Sequence, residues 1–378
     1  MRTLLTIGLL LSLCLTAMAD PPPITFGGLF NLTGRQSTLD VPASQGAQLA
    51  IDQVNLAGRT LDREVNLILM DGESDLAGVV QKTRDLLASH PRLCALMGFS
   101  DTDFVLATAP MAAKQKMPFV TSGATSPRLP KEVPVYLFMA AFGDNVQAAA
   151  AAEFASADLK AKTAFVFYDE STEYTRLLQQ YFTTRFQELG GQVIGSQSFT
   201  PGNMEPVSLK AAKADLLFLS AGPQEALEGV RLLRSLGLDQ PIMGGDGFDS
   251  NVWAQAKKTK NVYFTSHVYL GENNPRPAVI KFRQDYQAKF PDTPPDAFAA
   301  LGYDTVNLLL AAIRQANSAE PEKIREGLSQ IKDFEGVTGT ISFGEGHRLP
   351  SKSVSVIEIV EGQPRLVREL SPGSVPAP

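Results

Sequence analysis

The residue types that do chemistry are present in this chain but poorly arranged for catalysis. His90, His267 and His347 stand alone, none with a second ligand three or four residues away, so no metal site and no cofactor is expected. There is no Gly-x-Ser-x-Gly elbow and no Walker-type loop, and Met243-Gly244-Gly245-Asp246-Gly247 is a weak glycine motif. Asp101 and Asp103 could pair for acid–base work, but an aspartate just ahead of a helix ordinarily caps it. With no nucleophile beside a positioned base, an enzyme is not expected. Small polar loops offer better chemistry. Gly98-Phe99-Ser100-Asp101-Thr102 ends one apolar run and opens a helical one, and Thr121-Ser122-Gly123-Ala124-Thr125-Ser126-Pro127 ends the next. Free N–H groups and hydroxyls there suit a small anion such as a carboxylate, although each loop alone could equally be a turn or a cap.

Loops of this kind need a scaffold of parallel strands, because ligands of open α/β sheets sit outside the carboxyl ends of the strands. Short apolar runs alternate with helical periods throughout. Ile24 to Phe30, Val65 to Met70, Leu93 to Gly98 and Pro118 to Thr121 read as strands, with helices over Ser44 to Leu56, Leu76 to Ser89 and Phe104 to Gln115. A second round follows Tyr136 to Ala140: helices at Asn145 to Ala157, Tyr174 to Leu189 and Glu225 to Leu236 alternate with strands at Thr163 to Tyr168, Val193 to Phe199, Leu216 to Ser220 and Ile242 to Gly244. Two such arrays predict two Rossmann-like lobes with parallel sheets. Three nearly consecutive helices, Pro277 to Phe290, Ala297 to Gln315 and Pro321 to Ile331, are expected to return to the first lobe. Thr340 to Phe343 and Val354 to Val360 then read as strands, the last going back to the second lobe through a multi-strand hinge. The expected division is 20–140 with 267–345 in lobe 1, 141–266 with 346–370 in lobe 2, and a disordered tail over 371–378.

The N-terminus narrows the functional classes. A weakly basic start, an apolar run from Leu4 to Leu15 and Ala17-Met18-Ala19 make residues 1–19 a signal peptide cleaved near Ala19, which places the mature protein in the periplasm. Without that segment, 33 basic residues face 40 acidic ones, a net charge near −7 that argues against a nucleic-acid partner. Cys14 falls within the signal segment, behind a Leu13 too bulky for a lipoprotein site, so Cys94 is the single mature cysteine and no intrachain disulfide can form. Its setting, Leu93-Cys94-Ala95-Leu96-Met97, is that of core filler.

The order of several motifs resembles the leucine/isoleucine/valine-binding family of type I periplasmic binding proteins, the exported amino-acid binders of ABC importers. The stretches that carry it are Gly28 to Gly34, Gly46 to Asn55, Met70 to Asp75, Pro118 to Pro127, Tyr168-Asp169 with Tyr174, and Gly244 to Gly247, spanning nearly the whole mature chain. The resemblance implies that Thr102, the Gly123 backbone and Thr125 hold a ligand carboxylate. It puts Asp246 against an ammonium group, where a turn-forming aspartate is the alternative. It implies that Tyr174 covers the ligand on closure, where packing on the core is the alternative, and that Leu39 lines the side-chain pocket. It further implies a small-molecule ligand, an ABC permease in the inner membrane as partner, and a monomer. The expected function is capture of a small polar metabolite, foremost an amino acid, by hinge closure. A sensor, or a transport binder of amides, urea or aromatic acids, is the alternative. Arg35, Asp40 and Thr175 depart from the family's usual proline and glycines, and Ser74 and Asp101 stand where some relatives carry a disulfide.

Overall fold

A computed structural model describes residues 21–344 and 346–378. The signal segment 1–19, with Cys14, lies outside the described residues. The first sheet is built from β1 (Ile24–Phe30), β2 (Val65–Asp71), β3 (Ala95–Gly98), β4 (Phe119–Thr121) and β5 (Leu137–Met139), in the order β2-β1-β3-β4-β5 with every neighbour parallel. Helices α1 (Ser37–Leu56), α2 (Leu76–Ser89), α3 (Thr102–Lys114) and the short α4 (Leu129–Glu132) connect them. At the end of β3, Gly98 has φ +120 and a Cβ there would lie 2.0 Å from the Leu29 carbonyl oxygen, so only glycine lets the chain turn into the polar loop that follows.

After α5 (Asp144–Ala157) come β6 (Thr163–Asp169), α6 (Glu173–Glu188), β7 (Gln192–Phe199), β8 (Leu216–Ser220), α7 (Pro223–Ser235), β9 (Ile242–Gly244) and β10 (Val262–Ser266). The chain then forms α8 (Pro277–Lys289), α9 (Ala297–Ala316), α10 (Pro321–Ser329), a small ribbon of β11 (Phe334–Gly336) and β12 (Gly339–Ile341), and a hairpin of β13 (Val354–Val360) and β14 (Gln363–Leu370). The second sheet runs β14-β13-β10-β9-β8-β6-β7, parallel from β10 to β7 and antiparallel where the hairpin joins.

Helices α8 to α10 pack on the first sheet's side through α1. The contact between α1 and α9 is made at glycines: a Cβ on Gly46 would sit 1.8 Å from the Ala299 carbonyl oxygen, and one on Gly302 would sit 1.9 Å from that of Ala43. Helix α9 is long and apolar enough to cross a membrane, but it is a core helix here, with Leu301, Leu308, Leu309 and Ile313 fully buried beside Phe26, Met97 and Ile341. The chain therefore passes between the sheets three times, from β5 to α5, from β10 to α8 and from β12 to β13. At these crossings the buried Lys352 ammonium donates to the Ala140 carbonyl (3.0 Å) and the Thr338 hydroxyl (2.6 Å).

Some elements differ from expectation. Helix α1 begins at Ser37, seven residues ahead of its expected start, and contains Pro42 within it. Its first turn carries Asp40, whose buried carboxylate collects backbone N–H groups from two neighbouring loops. Strand β14 was not expected at all, because Gln-Pro-Arg-Leu-Val-Arg-Glu-Leu is an exposed edge without apolar alternation. The 371–378 segment, expected to be disordered, lies against α5: Gly373 N–H donates to Glu153 and Asn145 donates to the Pro376 carbonyl. Cys94 is buried, its thiol donates to the Thr25 carbonyl, and burial pushes that thiol up to about 12.

Candidate functional site

The carboxyl ends of the parallel strands of both sheets face one cavity that is partly open to solvent. From the first sheet's side come Arg35 and Gln36 after β1, Leu39 on α1, Ser100 and Asp101 after β3, Gly123 and Thr125 after β4, and Phe298 at the start of α9. From the second come Asp169, Thr172 and Tyr174 after β6, Gly222 to Glu225 after β8, and Asp246 with Gly247 after β9.

One wall is a cradle of small polar groups. The Ser100 N–H donates to Asp40 Oδ1 at 2.9 Å, which fixes the loop, while its buried Oγ makes no hydrogen bond. A Cβ on Gly123 would lie 2.8 Å from both that Oγ and the Phe298 ring, so glycine keeps this space open. The Gly123 N–H has only a 3.5 Å approach to the Phe99 carbonyl, too long for a good bond. Thr125 accepts the Asp144 N–H at 2.7 Å through its carbonyl, which ties the loop to the first turn of α5. Asp40 thus fastens the loops after β1 and β3 together: it accepts from the Asn31 N–H (2.8 Å), the Asn31 amide (3.0 Å) and Ser100. Burial raises its carboxyl to about 6 against those bonds.

The opposite wall centres on Asp246, which is 2% exposed. Its Oδ1 accepts from Gln147 Nε2 at 2.8 Å, its Oδ2 meets His267 Nε2 at 2.9 Å, and its N–H donates to Gln147 Oε1 at 2.9 Å. Thr265 donates to the same Gln147 oxygen, so the amide's orientation is set from two sides. Burial holds the His267 imidazole below its ordinary range even though Asp246 favours the cation, and the ring stacks on Phe142 with centroids 3.7 Å apart. Asp144, also facing Gln147, is raised well above the usual carboxylate range by burial and by Asp246. The Tyr174 hydroxyl accepts the Gly247 N–H at 3.0 Å, and burial, then Asp246 and Asp144, push that phenol far upward.

Of the residues expected at a site, Leu39, Gly123, Thr125, Tyr174 and Asp246 line this one cavity, and Thr102 does not. Thr102 is the first residue of α3, 1% exposed, with a hydroxyl that has no partner. Ser100, two residues earlier, faces the cavity instead. Asp101 caps α3 by accepting the Asp103 N–H at 2.9 Å. Burial, then neighbouring Asp103, raise its carboxyl to about 7. Sequence reasoning missed Arg35, Asp169 and Glu225. Arg35 reaches from the first sheet's side to Glu225 at 3.0 Å and Asp169 at 3.7 Å on the other. Asp103 accepts the Glu173 N–H at 3.1 Å and Arg128 stands 3.7 Å from Glu173, so the two sides are closed on each other around the cavity. The described residues contain no group of three or more His, Cys, Asp or Glu able to hold a metal ion.

Two sheets with three crossings, closed on a cavity lined from both sides, define a two-lobed type I binding protein. The chain belongs to the periplasmic binding protein family, whose model matches residues 23–364. It is similar to the Leu/Ile/Val-binding protein BraC3 of Rhizobium johnstonii, 26% identical over 95% of this chain and 97% of that one. Among solved structures it is similar to the branched-chain amino acid transporter substrate-binding protein LivJ of Streptococcus pneumoniae in complex with isoleucine, with TM-score 0.83 and 27% identity over 93% of this chain and 100% of that one. A solute-binding protein of an ABC transporter from Rhodopseudomonas palustris in complex with 3,4-dihydroxybenzoic acid also has TM-score 0.83, covering 94% of this chain and 99% of that one, but at 18% identity it shows the fold alone.

Proposed function

We propose that the protein is the extracytoplasmic solute-binding component of an ABC importer and that it captures an amino acid by closing its lobes. The observation that carries this reading is the polarity of one cavity: the unbonded Ser100 hydroxyl and the weakly bonded Gly123 N–H face it from one lobe, and the buried Asp246 carboxylate faces it from the other. The ligand's carboxylate would lie in the cradle and its ammonium against Asp246, under Tyr174. Each carboxylate oxygen of Asp246 has one protein partner and lone pairs to spare, so an ammonium adds to the network without displacing it. Contacts from both lobes exist together only in the closed state, which is why ligand favours closure. No group in the cavity is a nucleophile beside a positioned base, which supports binding without turnover. The relatives' names support an amino acid and an importer. A membrane permease as partner, a monomeric protein, export to the periplasm and cleavage near Ala19 complete the proposal.

A second reading, a binder of amides or of acids without an amine, is favoured by one observation: both Asp246 oxygens are already engaged by Gln147 and His267. A thermal-shift panel of amino acids, amides, urea and aromatic acids on ligand-stripped protein separates the two. A ligand at a hundred times its Kd stabilises by about 2.7 kcal/mol, which the assay resolves. Hits among amino acids that vanish in Asp246→Asn support the proposal; hits confined to compounds lacking an amine refute it.

A further inference from the structure

Beyond the cradle and Asp246, the cavity wall is unlike an aliphatic pocket. Among the described residues its large apolar members are Leu39, Phe298 and Pro223 with the Tyr174 ring, while Asp101, Asp169 and Glu225 put three carboxyl groups there against one cation, Arg35. Asp169 is 1% exposed and Glu225 6%, so neither is a solvated surface acid. Asp169 Oδ2 makes no hydrogen bond; its nearest cation is the Arg35 guanidinium at 3.7 Å, beyond bonding distance. The Arg35 guanidinium enters this corner from the opposite lobe and stops 3.0 Å from Glu225. The corner thus holds one cation and has an unused acceptor for a second.

We infer that this corner is a subsite for a positively charged side chain, so that the ligand is a basic amino acid whose terminal ammonium sits between Asp169 and Glu225. The inference rests on the amino-acid reading above. A branched aliphatic side chain would leave Asp169 Oδ2 desolvated and without a hydrogen-bond donor, Oδ1 alone being served by the Ser171 N–H at 2.9 Å, and a site whose polar groups are left unpaired rejects the ligand that leaves them so. The ligand's own α-ammonium is assigned to Asp246, which follows β9, whereas this corner follows β6 and β8 of the same sheet. Burial raises the carboxyls of both Asp101 and Glu225, as expected of acids held without enough counter-charge.

The test is calorimetric titration of the ligand-stripped protein with L-leucine, L-glutamine, L-ornithine and L-lysine at neutral pH. It is repeated on Glu225→Gln and, as a second variant at a different strand end, Asp169→Asn. Ornithine or lysine is expected to bind at least tenfold more tightly than leucine and glutamine, and each variant to cut that preference at least fivefold. Leucine or glutamine binding as tightly as the basic pair overturns the subsite and leaves the amino-acid reading standing. A basic preference that survives both substitutions overturns the assignment to this corner. Failure of all four to bind, with a ligand lacking an amine found elsewhere in the panel, overturns the amino-acid reading and this inference with it.

Discussion

Replacing Gly46 by alanine tests whether the return of α9 to the first lobe depends on helix backbones in direct contact. Two effects oppose each other. Alanine favours a helix over glycine by about 1 kcal/mol. Against this, the new methyl would lie 1.8 Å from the Ala299 carbonyl oxygen and 2.8 Å from its carbon, where ordinary contacts begin at 3.4 Å. The obstacle is backbone and cannot rotate away, so α1 and α9 must separate by roughly 1.5 Å. Overpacking of this kind costs about 1–3 kcal/mol, with rigid backbone neighbours at the upper end. The net expectation is a loss of about 2 kcal/mol. Helix α9 also begins with the residues that place Phe298 on the cavity wall, so ligand affinity should fall in the same variant. Urea unfolding read by far-UV circular dichroism follows both lobes. The only tryptophan, Trp253, is packed on Phe248 in the second lobe and reports that side alone. The dichroism midpoint should drop, with a smaller change in the tryptophan signal. A midpoint at or above that of the parent protein would mean that helix propensity wins and that the glycine contact is not what seats α9.

Gly123→Ala should lower the unfolding stability by about 1 kcal/mol, since the Phe298 ring and the Ser100 hydroxyl must give way, and weaken ligand binding about tenfold or more by filling the cradle beside them; urea unfolding and titration calorimetry read the two effects. Stability should fall as pH rises from about 4.5 to 7.5. Asp40, with its carboxyl at about 6, and Asp101 and Asp249, both at about 7, bind protons in the folded chain that the unfolded chain has released. For Asp40 alone the rise from 3.8 corresponds to about 3 kcal/mol, present below the unfolded value and lost as pH passes the folded one. His267, held low by burial, works in the opposite direction below its ordinary value but is a single group. Urea midpoints at the two pH values check the sign, and a higher midpoint at 7.5 contradicts it. Lys352→Met should cost about 1–3 kcal/mol in the same urea assay, because the Ala140 carbonyl at a lobe crossing loses its donor.

How much of this was legible beforehand follows the range of the interactions involved. The alternation of apolar runs with helical periods is local, and it predicts the parallel strands of both sheets except β10, together with the three helices that follow them. Helix α1 was placed too late because Pro42 reads as a boundary, whereas Asp40 in the first turn is held by N–H groups from two other loops. Strand β14 escaped because its pairing to β13, not its own pattern, makes it a strand. Within the cavity, position after a strand end points to the loops that hold Gly123 and Thr125, while Tyr174 and Asp246 come from the resemblance alone. Thr102 begins α3 and does not line the cavity, whereas Ser100, two residues earlier in the same loop, does. Arg35 and Asp169 enter the resemblance, one as a departure and one within a matching stretch, without being assigned to a site, and Glu225 carries no local mark, since a lone charge looks like a solvated one. Asp169 nevertheless ends β6 and Glu225 lies in the first turn of α7 after β8, so the same rule applied to every charged residue at a strand end would have found both.

His267 is the most instructive omission, because it links binding to the hinge. It looks isolated along the chain, yet its partner Asp246 is 21 residues away and Gln147, the other partner of Asp246, is 99 away. His267 follows directly on β10, where the chain crosses between lobes, and it stacks on Phe142, which lies in a different crossing. Gln147 is in the first turns of α5, just past that second crossing, and α5 is tied to the cradle loop through Asp144 and Thr125. The acid proposed to meet the ligand is therefore held by groups rooted at two of the three crossings rather than by its own strand. A change in the charge balance at Asp246 acts directly, through these hydrogen bonds, on side chains that stand beside two of the crossings.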